Sequence, residues 1–566
     1  MYTASTAFLE ALVEAGISYI FANFGSDHPA LVEAIAEARV TGRPIPKIIT
    51  CPFEMVGLAA AQGYAQVNGR PQAVIVHVEC GTQSLAGAVH NISKGRIPAL
   101  IFAGLSPFTQ EGELKGSRNE FIQWIQDISD QRGIVRGYVK YDNELRTGRN
   151  VKQIVHRALQ FANSHPKGPV YLTGAREVME EEVDPVKINP AHWQPVAPSA
   201  LPDGAAAEIV TALASAKRPL IVTSFAGRDP HAVAPLVALC ERLGIGLLES
   251  VPSALNFPHG HPLYLGSHWN HPFQNPDLAD ADVILVLDSD VPWIPTVSRP
   301  RDDATIFHID VDPLKQSIPL WYIPAVRSFQ ADTVTALAQL VATADAADGR
   351  GRGEREAQYH ARHRARAAEL AAIEAEPQLG VEYVMARLRT MLETDALLLN
   401  ESITNYPQVL DHLAPQQPGS YFASGGGSLG WNGGAAIGAK LAAPDKTVVV
   451  VTGDGSYMFS VPSSVHWMAR HYDTPFLQVV LNNRGWKAPR FSALAVHPDG
   501  YAAKTADLDL NFDPPPDYAG IAAASGGAYA RAIKTVEEVD AALAEALRVV
   551  REERRCAVLD VWLAKG

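Results

Sequence analysis

The sequence has few cysteines and no cluster of them. Its four cysteines, Cys51, Cys80, Cys240 and Cys556, are scattered along 566 residues, with no CxxC pair and no histidine at metal-ligand spacing. This pattern excludes a disulfide framework and a zinc site of the usual spacing. It predicts reduced thiols of the kind found in the cytosol.

Long apolar runs and a leader-like N-terminus are also absent. The longest apolar stretches, such as 283–287 and 447–451, are far shorter than the roughly 20 residues needed to cross a bilayer. The N-terminal stretch has no basic region followed by a continuous apolar region, so we do not expect a signal peptide. We therefore expect a soluble cytoplasmic protein with no membrane partner.

Positive charge is in deficit. The 48 Lys and Arg against 61 Asp and Glu give a net charge of −13, which provides no global attraction for nucleic acid or anionic membranes. A content of 47% hydrophobic and 19% charged residues is that of an ordinary globular protein. Because a single core stops growing beyond about 250–300 residues, the length predicts about three domains.

Three stretches of the chain repeat a short β-branched run, a turn and an amphipathic helix. This alternation is typical of parallel sheets, so the predicted fold class is α/β with three doubly wound parallel-sheet domains. The predicted boundaries are a first domain at 1–184, a Pro-rich linker at 185–202, a central domain at 203–345, a charged linker helix at 346–376 and a last domain at 377–566.

The predicted strands are short apolar runs. In the first domain they are 19–22, 47–50, 72–78, 99–103 and 170–172; in the central domain 219–223, 246–249, 283–287 and 305–311; in the last domain 396–400, 447–451, 477–481 and 557–561.

Two polar motifs in the last domain follow neighbouring predicted strands. Gly453, Asp454, Gly455 and Ser456 come after the run 447–451, and Asn482-Asn483 comes after the run 477–481. The carboxyl ends of parallel strands are where open α/β sheets bind ligands. Carboxylate, amide and backbone carbonyl oxygens suit Mg²⁺, and glycines let the backbone approach a diphosphate. We therefore expect a diphosphate and Mg²⁺ site here, with Asp454, Asn483 and Gly485 as metal ligands.

A glycine-rich turn at 425–430 also fits the GxGxxG pattern of dinucleotide-binding proteins. That interpretation requires an acidic residue at the end of the next strand to hold a ribose, and Asp454 does follow a strand. The Gly-Asp-Gly context and the later Asn-Asn favour a metal over a ribose. An NAD site is the alternative for this segment.

The paired motifs resemble the GDG…NN signature of thiamine-diphosphate enzymes, and the resemblance extends over nearly the whole chain. It is to the acetolactate synthase, pyruvate oxidase and benzoylformate decarboxylase group, with benzoylformate decarboxylase the nearest local likeness. Asn23, Gly25 and Ser26 resemble that enzyme's Asn-Pro-Gly-Ser turn, with Phe24 in place of proline. Asn400-Glu401-Ser402 and the segment 420–439 resemble its later motifs. The resemblance implies the thiamine-diphosphate-binding fold.

Glu54 is the candidate for activating the cofactor. It follows the predicted strand 47–50 at the start of a helix of small residues, among Pro52, Phe53, Met55 and Val56. A dry pocket favours the protonated carboxyl that such an enzyme shares with the cofactor's pyrimidine. The alternative is a glutamate that complements the dipole in the first turn of a helix.

The resemblance implies roles for further residues. His77 would be an acid–base group, Ser26 would orient the substrate carboxylate, and Leu429 would bend the cofactor into a V shape. Gly427 would hold the cofactor's amino group through its carbonyl. The remaining candidates for contact with the cofactor are Asn23, Gly25, Glu54, Gly453, Asp454, Gly455, Ser456, Asn483, Gly485 and Trp486.

The sequence departs from the family at several points. The adjacent histidines of pyruvate decarboxylases are absent near 105–130, and the stretch 291–294 offers no match for a second catalytic histidine. Lys487 stands where the decarboxylase has a small residue; it could bind a second anionic group of the substrate or lie on the surface. Asp27, His28 and Gln126 are further candidates for the pocket.

The resemblance implies a decarboxylase that attacks a 2-oxo acid through the cofactor's C2 carbanion and forms an enamine, a C–C lyase. The alternatives are an acetolactate-synthase-like carboligase, which joins the enamine to a second carbonyl compound or splits an acyloin, and a non-catalytic cofactor-binding protein. Glu54, Asp454 and Asn483 argue against the last. The central domain could bind FAD or a CoA ester, although no motif supports either. Active sites between subunits imply a homodimer or homotetramer.

Overall fold

The protein, described by a computed structural model over residues 2–345, 351–505 and 508–565, contains three six-stranded sheets in succession along the chain. The strand pairs run parallel in each sheet, and helices surround the sheets, as the alternation of runs and turns predicted. The start of the predicted linker helix, 346–350, lies outside the described residues.

The strands of the first sheet are β1 (Tyr19–Ala22), β2 (Lys47–Thr50), β3 (Ala73–Val76), β4 (Ala99–Leu105), β5 (Tyr141–Leu145) and β6 (Pro169–Ala175). Those of the central sheet are β7 (Pro219–Thr223), β8 (Gly246–Ser250), β9 (Tyr264–His268), β10 (Val283–Leu287), β11 (Thr305–Asp310) and β12 (Arg327–Gln330). Those of the third sheet are β13 (Leu397–Glu401), β14 (Tyr421–Phe422), β15 (Val448–Gly453), β16 (Leu477–Asn482), β17 (Tyr529–Ile533) and β18 (Ala557–Trp562).

The helices around the first sheet are α1 (Ala4–Glu14), α2 (Pro29–Thr41), α3 (Glu54–Asn68), α4 (Val78–Ser84), α5 (Ala86–Lys94), α6 (Ile122–Ile125), α7 (Val151–Asn163) and α8 (Arg176–Met179). Those of the central region are α9 (Ala205–Ser215), α10 (Val233–Leu243), α11 (Pro276–Asp280), α12 (Thr333–Ala344) and α13 (Arg352–Ala375). Around the third sheet lie α14 (Val381–Met391), α15 (Tyr406–Leu413), α16 (Trp431–Ala442), α17 (Asp454–Phe459), α18 (Pro462–His471), α19 (Lys487–Val496), α20 (Tyr501–Lys504), α21 (Tyr518–Gly526) and α22 (Val539–Glu552).

The first and third sheets have the same topology. Their strand orders are β2-β1-β3-β4-β6-β5 and β14-β13-β15-β16-β18-β17, which are the same order when strands are counted within each sheet. The central sheet, β12-β11-β10-β7-β8-β9, has the 3-2-1-4-5-6 order of doubly wound dinucleotide-binding folds. The first and last stretches of the sequence show the same alternation of apolar runs and helices because they form two sheets with the same strand order.

Five strands were not predicted, and all of them are edge strands: β5, β9, β12, β14 and β17. An edge strand pairs on one side only and keeps polar residues, so it lacks the continuous apolar run of a central strand. The predicted strand 72–78 was too long, because β3 ends at Val76 and Val78 already begins α4. The linker 185–202 contains a short 3-10 turn at Pro190–Trp193.

Two helices join the first and third sheets at very close range within one chain. α3 follows β2 and α16 precedes β15, and their small residues face each other. A Cβ added at Gly438 would lie 1.9 Å from the Ala60 carbonyl oxygen, and one added at Gly63 would lie 2.2 Å from that of Ala435. These glycines therefore allow the two backbones to touch.

Helix α13 connects the central region to the third sheet. Near its start, the buried guanidinium of Arg355 donates to the carbonyls of Leu243 and Gly244, at 2.6 and 2.9 Å. Near its end, Glu374 accepts from Arg389 at 2.8 Å. Both ends of the helix are thus attached, one to each region.

The four cysteines are free thiols, in agreement with the prediction. No helix among residues 2–345, 351–505 and 508–565 has both the length and the apolar character that a bilayer crossing requires.

Candidate active site between the first and third sheets

Three neighbouring strands of the first sheet end in the predicted catalytic residues. β1 leads into the turn that carries Asn23 and Ser26, β2 leads to Glu54 and β3 leads to His77. Because β2, β1 and β3 are adjacent in the sheet, their carboxyl ends form one edge. The structure therefore brings these four residues to the same end of the first sheet, where Ser26 is half-buried.

Glu54 begins helix α3 and is only 8% exposed. Asn23 Nδ2 donates to its Oε1 at 2.9 Å, and the buried Met55 and Val56 follow it in the helix. A first-turn glutamate that only complements a helix dipole would be free to face solvent. This one lies in an enclosed place, and its polar contact is with Asn23.

His77 lies between two polar partners that the sequence placed only among the weaker candidates. Its Nδ1 is 2.5 Å from Asp27 Oδ1, and its Nε2 is 2.8 Å from Gln126 Oε1. The hydrogen bond to Asp27 raises the pKa of His77, while burial opposes the rise. Burial disfavours ionisation of Asp27, but the imidazoles of His28 and His77 hold its pKa well below the usual range.

Adjacent strands of the third sheet carry the second set of predicted residues. Asp454 follows β15 and Asn483 follows β16, and these strands pair directly. The Asp454 side chain is buried, and it accepts from the backbone N–H of Gly455 at 2.8 Å and of Gly485 at 3.1 Å. Burial raises its pKa to about 6 against these hydrogen bonds.

The donor set at this edge fits a hard cation. Asn483 is 6% exposed, and its Oδ1 has no hydrogen-bond partner among the described residues. A buried amide oxygen without a protein partner is free to accept from a water or to bind a cation. With the Asp454 carboxylate and the Gly485 carbonyl, it offers oxygens only, the set that Mg²⁺ prefers. No cluster of three His, Cys, Asp or Glu that could hold a metal occurs in the part of the chain that the structure describes.

Other predicted cofactor contacts surround this edge. Ser456 is buried, and the Trp486 ring packs against Gly455. Lys487 is half-buried at the start of α19, and burial lowers its pKa while Asp454 opposes the change. It lines a cavity of about 210 Å³ that Asn483 also lines.

The glycine-rich turn at 425–430 is attached to the first sheet through two residues that the sequence did not identify. Asn91 Nδ2 donates to the Ser428 carbonyl at 2.8 Å, and Asn91 Oδ1 accepts the Ser428 N–H at 2.9 Å. His90 Nε2 lies 2.9 Å from the Gly426 carbonyl oxygen. Ser428 lies between Gly427 and Leu429, so Asn91 positions the turn that carries both. No sequence signal distinguished Asn91 from an ordinary helix residue.

Glu401 also holds this turn, although it was not among the predicted site residues. Its buried carboxylate accepts the backbone N–H of Gly430 at 2.9 Å and of Asn432 at 3.0 Å, at the N-terminus of α16. Burial raises its pKa to about 7 despite these hydrogen bonds. The side chain therefore fixes the end of the turn next to Leu429.

A separate cavity of about 450 Å³ lies between the first and central sheets, lined by Arg96, Asp290 and Lys315 among others. These three side chains are paired with one another: Asp290 Oδ1 is 2.8 Å from Arg96 and 3.0 Å from Lys315.

Family models match most of the chain. "Thiamine pyrophosphate enzyme, N-terminal TPP binding domain" matches residues 2–134, the central domain of the same enzymes matches 206–337, and their C-terminal TPP binding domain matches 403–561. The GxGxxG-like turn thus falls within a TPP binding domain rather than an NAD site.

Individual relatives are distant but cover nearly the whole chain. Benzoylformate decarboxylase of Pseudomonas aeruginosa is 25% identical over 97% of this chain and 98% of its own length. The acetolactate synthase large subunit of Lactococcus lactis is 23% identical over 90% of this chain and 86% of its own. The solved structure of 4-hydroxybenzoylformate decarboxylase from Rhodococcus jostii superposes with a TM-score of 0.79 at 22% identity, covering 100% of this chain and 99% of that one.

Proposed function

This chain belongs to the thiamine pyrophosphate enzyme family, and on that premise we propose that it is a 2-oxo acid decarboxylase that releases CO₂ and an aldehyde. One observation carries the proposal: a buried glutamate and a histidine with a raised pKa lie at one edge of the first sheet. When bound, thiamine diphosphate supplies the nucleophilic carbon and takes up the electrons that the departing CO₂ leaves behind.

The first sheet would hold the pyrimidine end of the cofactor. Asn23 occupies Glu54 Oε1, so we assign the proton exchanged with the pyrimidine to Oε2. Gly25 would line the same pocket, and from the third sheet Gly427 and Leu429 would fix the bent conformation of the cofactor. Ser26 would orient the substrate carboxylate, and His77 Nε2 would exchange a proton with the reacting substrate.

The third sheet would hold the diphosphate. We propose that Asp454, Asn483 and the Gly485 carbonyl would hold a Mg²⁺ ion, which would neutralise charge on the diphosphate. Support comes from the amide oxygen of Asn483, which has no hydrogen-bond partner among the described residues, and from the buried carboxylate of Asp454. The remaining contacts proposed for the diphosphate are Gly453, Gly455, Ser456 and Trp486.

We propose an oligomer, a homodimer or a homotetramer. The segment between β4 and β5, which delivers Gln126 to His77, exposes Phe121, Trp124 and Ile125, with Phe121 75% exposed. Large apolar side chains that cluster on a surface are typical of an interface. Light scattering after size exclusion measures the mass, and a single-chain mass of 60.9 kDa would contradict the proposal.

A carboligase is the second candidate, because the match to an acetolactate synthase covers 90% of this chain and 291–294 offers no second histidine. Incubation of the Mg²⁺-loaded protein and cofactor with a panel of 2-oxo acids, with and without an added aldehyde, separates the two. A decarboxylase gives CO₂ and an aldehyde, and a carboligase gives an acyloin. No product with any 2-oxo acid would overturn both. A colourless purified protein would exclude a tightly bound flavin.

A further inference from the structure

Five side chains at the carboxyl edge of the first sheet form one continuous chain of hydrogen bonds. Cys80 Sγ lies 2.9 Å from Glu79 Oε1, and Gln126 Nε2 lies 3.3 Å from Cys80 Sγ. Gln126 Oε1 then contacts His77 Nε2 at 2.8 Å, and His77 Nδ1 contacts Asp27 Oδ1 at 2.5 Å. The proposed function uses only His77, so the other four have no assigned role in the reaction.

On the Gln126 side of His77, the donors and acceptors of these hydrogen bonds can be assigned in only one way. The oxygens of Glu79 accept from Cys80 and from Gln83, so the thiol hydrogen of Cys80 is directed to Glu79. The sulfur is then left with lone pairs, and its partner on Gln126 must be the amide N–H₂. This fixes the orientation of the amide, whose carbonyl faces the ring. His77 Nε2 must therefore carry a hydrogen to make its contact.

The opposite side of the ring also meets an acceptor. Asp27 is 4% exposed, its Oδ2 accepts the Val78 N–H at 3.0 Å, and its Oδ1 faces His77 Nδ1. His28 Nδ1 lies 2.9 Å from the same oxygen, but it already accepts the Gly25 N–H at 3.1 Å. His77 Nδ1 makes the shorter of the two histidine contacts with Asp27 Oδ1, at 2.5 Å against 2.9 Å, which places a hydrogen on His77 Nδ1.

The backbone is shaped to keep this contact. A Cβ on Gly25 would lie 2.0 Å from His77 Nδ1, and one on Gly104 would lie 2.0 Å from Asp27 Oδ2. Val78, whose N–H is held by Asp27, has a φ of 29°, which a β-branched residue adopts only under strain. Such a conformation persists only where the surrounding structure imposes it. The backbone around Asp27 and His77 therefore holds the contact between their side chains in place.

We propose that Glu79, Cys80 and Gln126 form a one-directional relay that, together with Asp27, keeps His77 doubly protonated, so that the resting enzyme presents a proton donor at Nε2. The inference rests on the proposed function for its use in the reaction. When an oxygen of the substrate replaces the Gln126 carbonyl, the Nε2–H bond breaks and an O–H bond forms. The neutral ring keeps its Nδ1–H on Asp27. Asp27, Cys80 and Gln126 are positioning residues in this scheme.

The surroundings of the ring favour the charged form. The titratable groups that face it are Asp27 and His28 from the turn after β1, Glu54 from α3, and Cys80 with Glu79 from α4. The pKa of His77 is raised most by the hydrogen bond to Asp27. The charge of Asp27, the hydrogen bond to Gln126 and the charge of Glu54 raise it further, whereas burial lowers it.

The test is a titration of His77 in the full-length protein labelled with ¹⁵N-histidine, with the signal assigned from the His77→Asn spectrum. At neutral pH both ring nitrogens should show the imidazolium shift, with a midpoint above the ordinary value of about 6.5. Asp27→Asn should lower the midpoint by about 1–3 pH units, which is the effect of one neighbouring charge. An ordinary midpoint in the unmodified protein would overturn the proposal.

A matched pair of variants tests the relay. In Cys80→Ser the hydroxyl can donate to Glu79 and accept from Gln126, so the midpoint of His77 should stay near that of the unmodified protein. In Cys80→Ala the amide loses its fixed orientation and the midpoint should fall. Equal midpoints for both variants would contradict the relay while leaving the Asp27 contact intact. Because the readout is the ring itself, these results stand whether or not a 2-oxo acid is cleaved.

Kinetics supply the second readout. If a 2-oxo acid is cleaved, the loss of rate at high pH should follow deprotonation of His77. The high-pH limb of kcat/KM should therefore move to lower pH in Asp27→Asn and to higher pH in Gln126→Glu. A limb that stays in place in both variants would show that these residues support structure only.

Discussion

The first and third sheets share one strand order, yet their carboxyl edges have opposite chemistry. At the first edge, Asp27, His77 and Gln126 satisfy one another through short hydrogen bonds. At the third edge, the amide oxygen of Asn483 has no partner among the described residues, and burial raises the pKa of Asp454 to about 6. A common topology therefore provides the same place for ligands in both sheets, and the side chains give the two edges different chemistry.

The largest expected effect comes from breaking the first edge at Glu54. Glu54→Gln keeps the shape and the Asn23 contact but removes the exchangeable proton, so turnover should fall by about 10²–10⁴-fold. Binding of thiamine diphosphate should change little. Steady-state rates and titration of tryptophan fluorescence measure the two quantities. Glu208→Gln, in the first turn of α9 and exposed, is the matched control; full activity in Glu54→Gln would refute the role of Glu54.

Breaking the third edge should affect binding rather than chemistry. Asn483→Ala removes the unpartnered oxygen, so the affinity for thiamine diphosphate with Mg²⁺ should fall by more than the roughly 10–100-fold that loss of an outer partner of a metal costs. Calorimetry at several Mg²⁺ concentrations measures the change. Asp499→Asn, at an exposed position, controls for charge and surface effects. An unaltered dependence on Mg²⁺ would remove Asn483 from the proposed site.

Two buried carboxyl groups, Glu401 near the third edge and Asp27 at the first, should change the free energy of unfolding with pH in opposite directions. Burial raises the pKa of Glu401 from 4.5 to about 7. The folded chain therefore keeps a proton that the unfolded chain loses, and the free energy of unfolding falls as the pH rises from about 4.5 to 7, by up to about 3 kcal/mol. The pKa of Asp27 is lowered, so its contribution is present above its unfolded pKa and is lost as the pH falls.

The check on this contrast is denaturant unfolding at pH 5 and pH 8. Relative to the unmodified protein, Glu401→Gln should lose less stability between the two values. Asp27→Asn should be destabilised to a similar extent at pH 5 and pH 8. In a third measurement at pH 3, where the Asp27 carboxyl of the unfolded chain protonates, this variant should recover part of the difference. Parallel pH curves for all three proteins would show that neither group has the pKa assigned to it.

The smallest effect concerns the contact that joins the two sheets. Gly438→Ala places a methyl group 1.9 Å from the Ala60 carbonyl oxygen, so the backbones of α3 and α16 must separate, at a cost of about 2 kcal/mol. Gly353→Ala, in α13 with no atom within 4 Å of the added Cβ, should stabilise the protein slightly. Thermal unfolding compares the two, and equal melting temperatures would contradict the close contact.

The central strands and one edge strand, β2, could be predicted from the sequence, and the other five edge strands could not. Tyr19–Ala22, Lys47–Thr50, Pro219–Thr223 and Val283–Leu287 match their predicted bounds, since a strand of a parallel sheet that is covered on both faces reads as an apolar run. β5, with the sequence YDNEL, and β12, with RSFQ, are polar. These segments are strands because they pair with a neighbouring strand, and the local sequence does not show that pairing.

The site divides in the same way. Glu54, Asp454 and Asn483 could be found because each follows a recognisable strand, and the structure places each at the end of that strand. Asn91 was missed because its role is a contact with Ser428, 337 positions away along the chain. Gln126 was only a weak candidate, because its segment has no periodic pattern and reaches His77 by folding back from β4. Long-range contacts of this kind depend on the packing of the whole domain.

Helix α13 has a consequence for how the chain tolerates change. It spans 24 residues, or about 36 Å, and it is attached at Arg355 and again at Glu374. Each residue of a helix turns the chain by about 100°. Insertion of one residue between these points would therefore rotate the third sheet's attachment by about 100° around the helix, whereas seven residues would nearly restore its angle. The connecting helix thus sets the angle between its two attachment points as well as the distance between them. Changes in its length by whole turns should therefore be tolerated best.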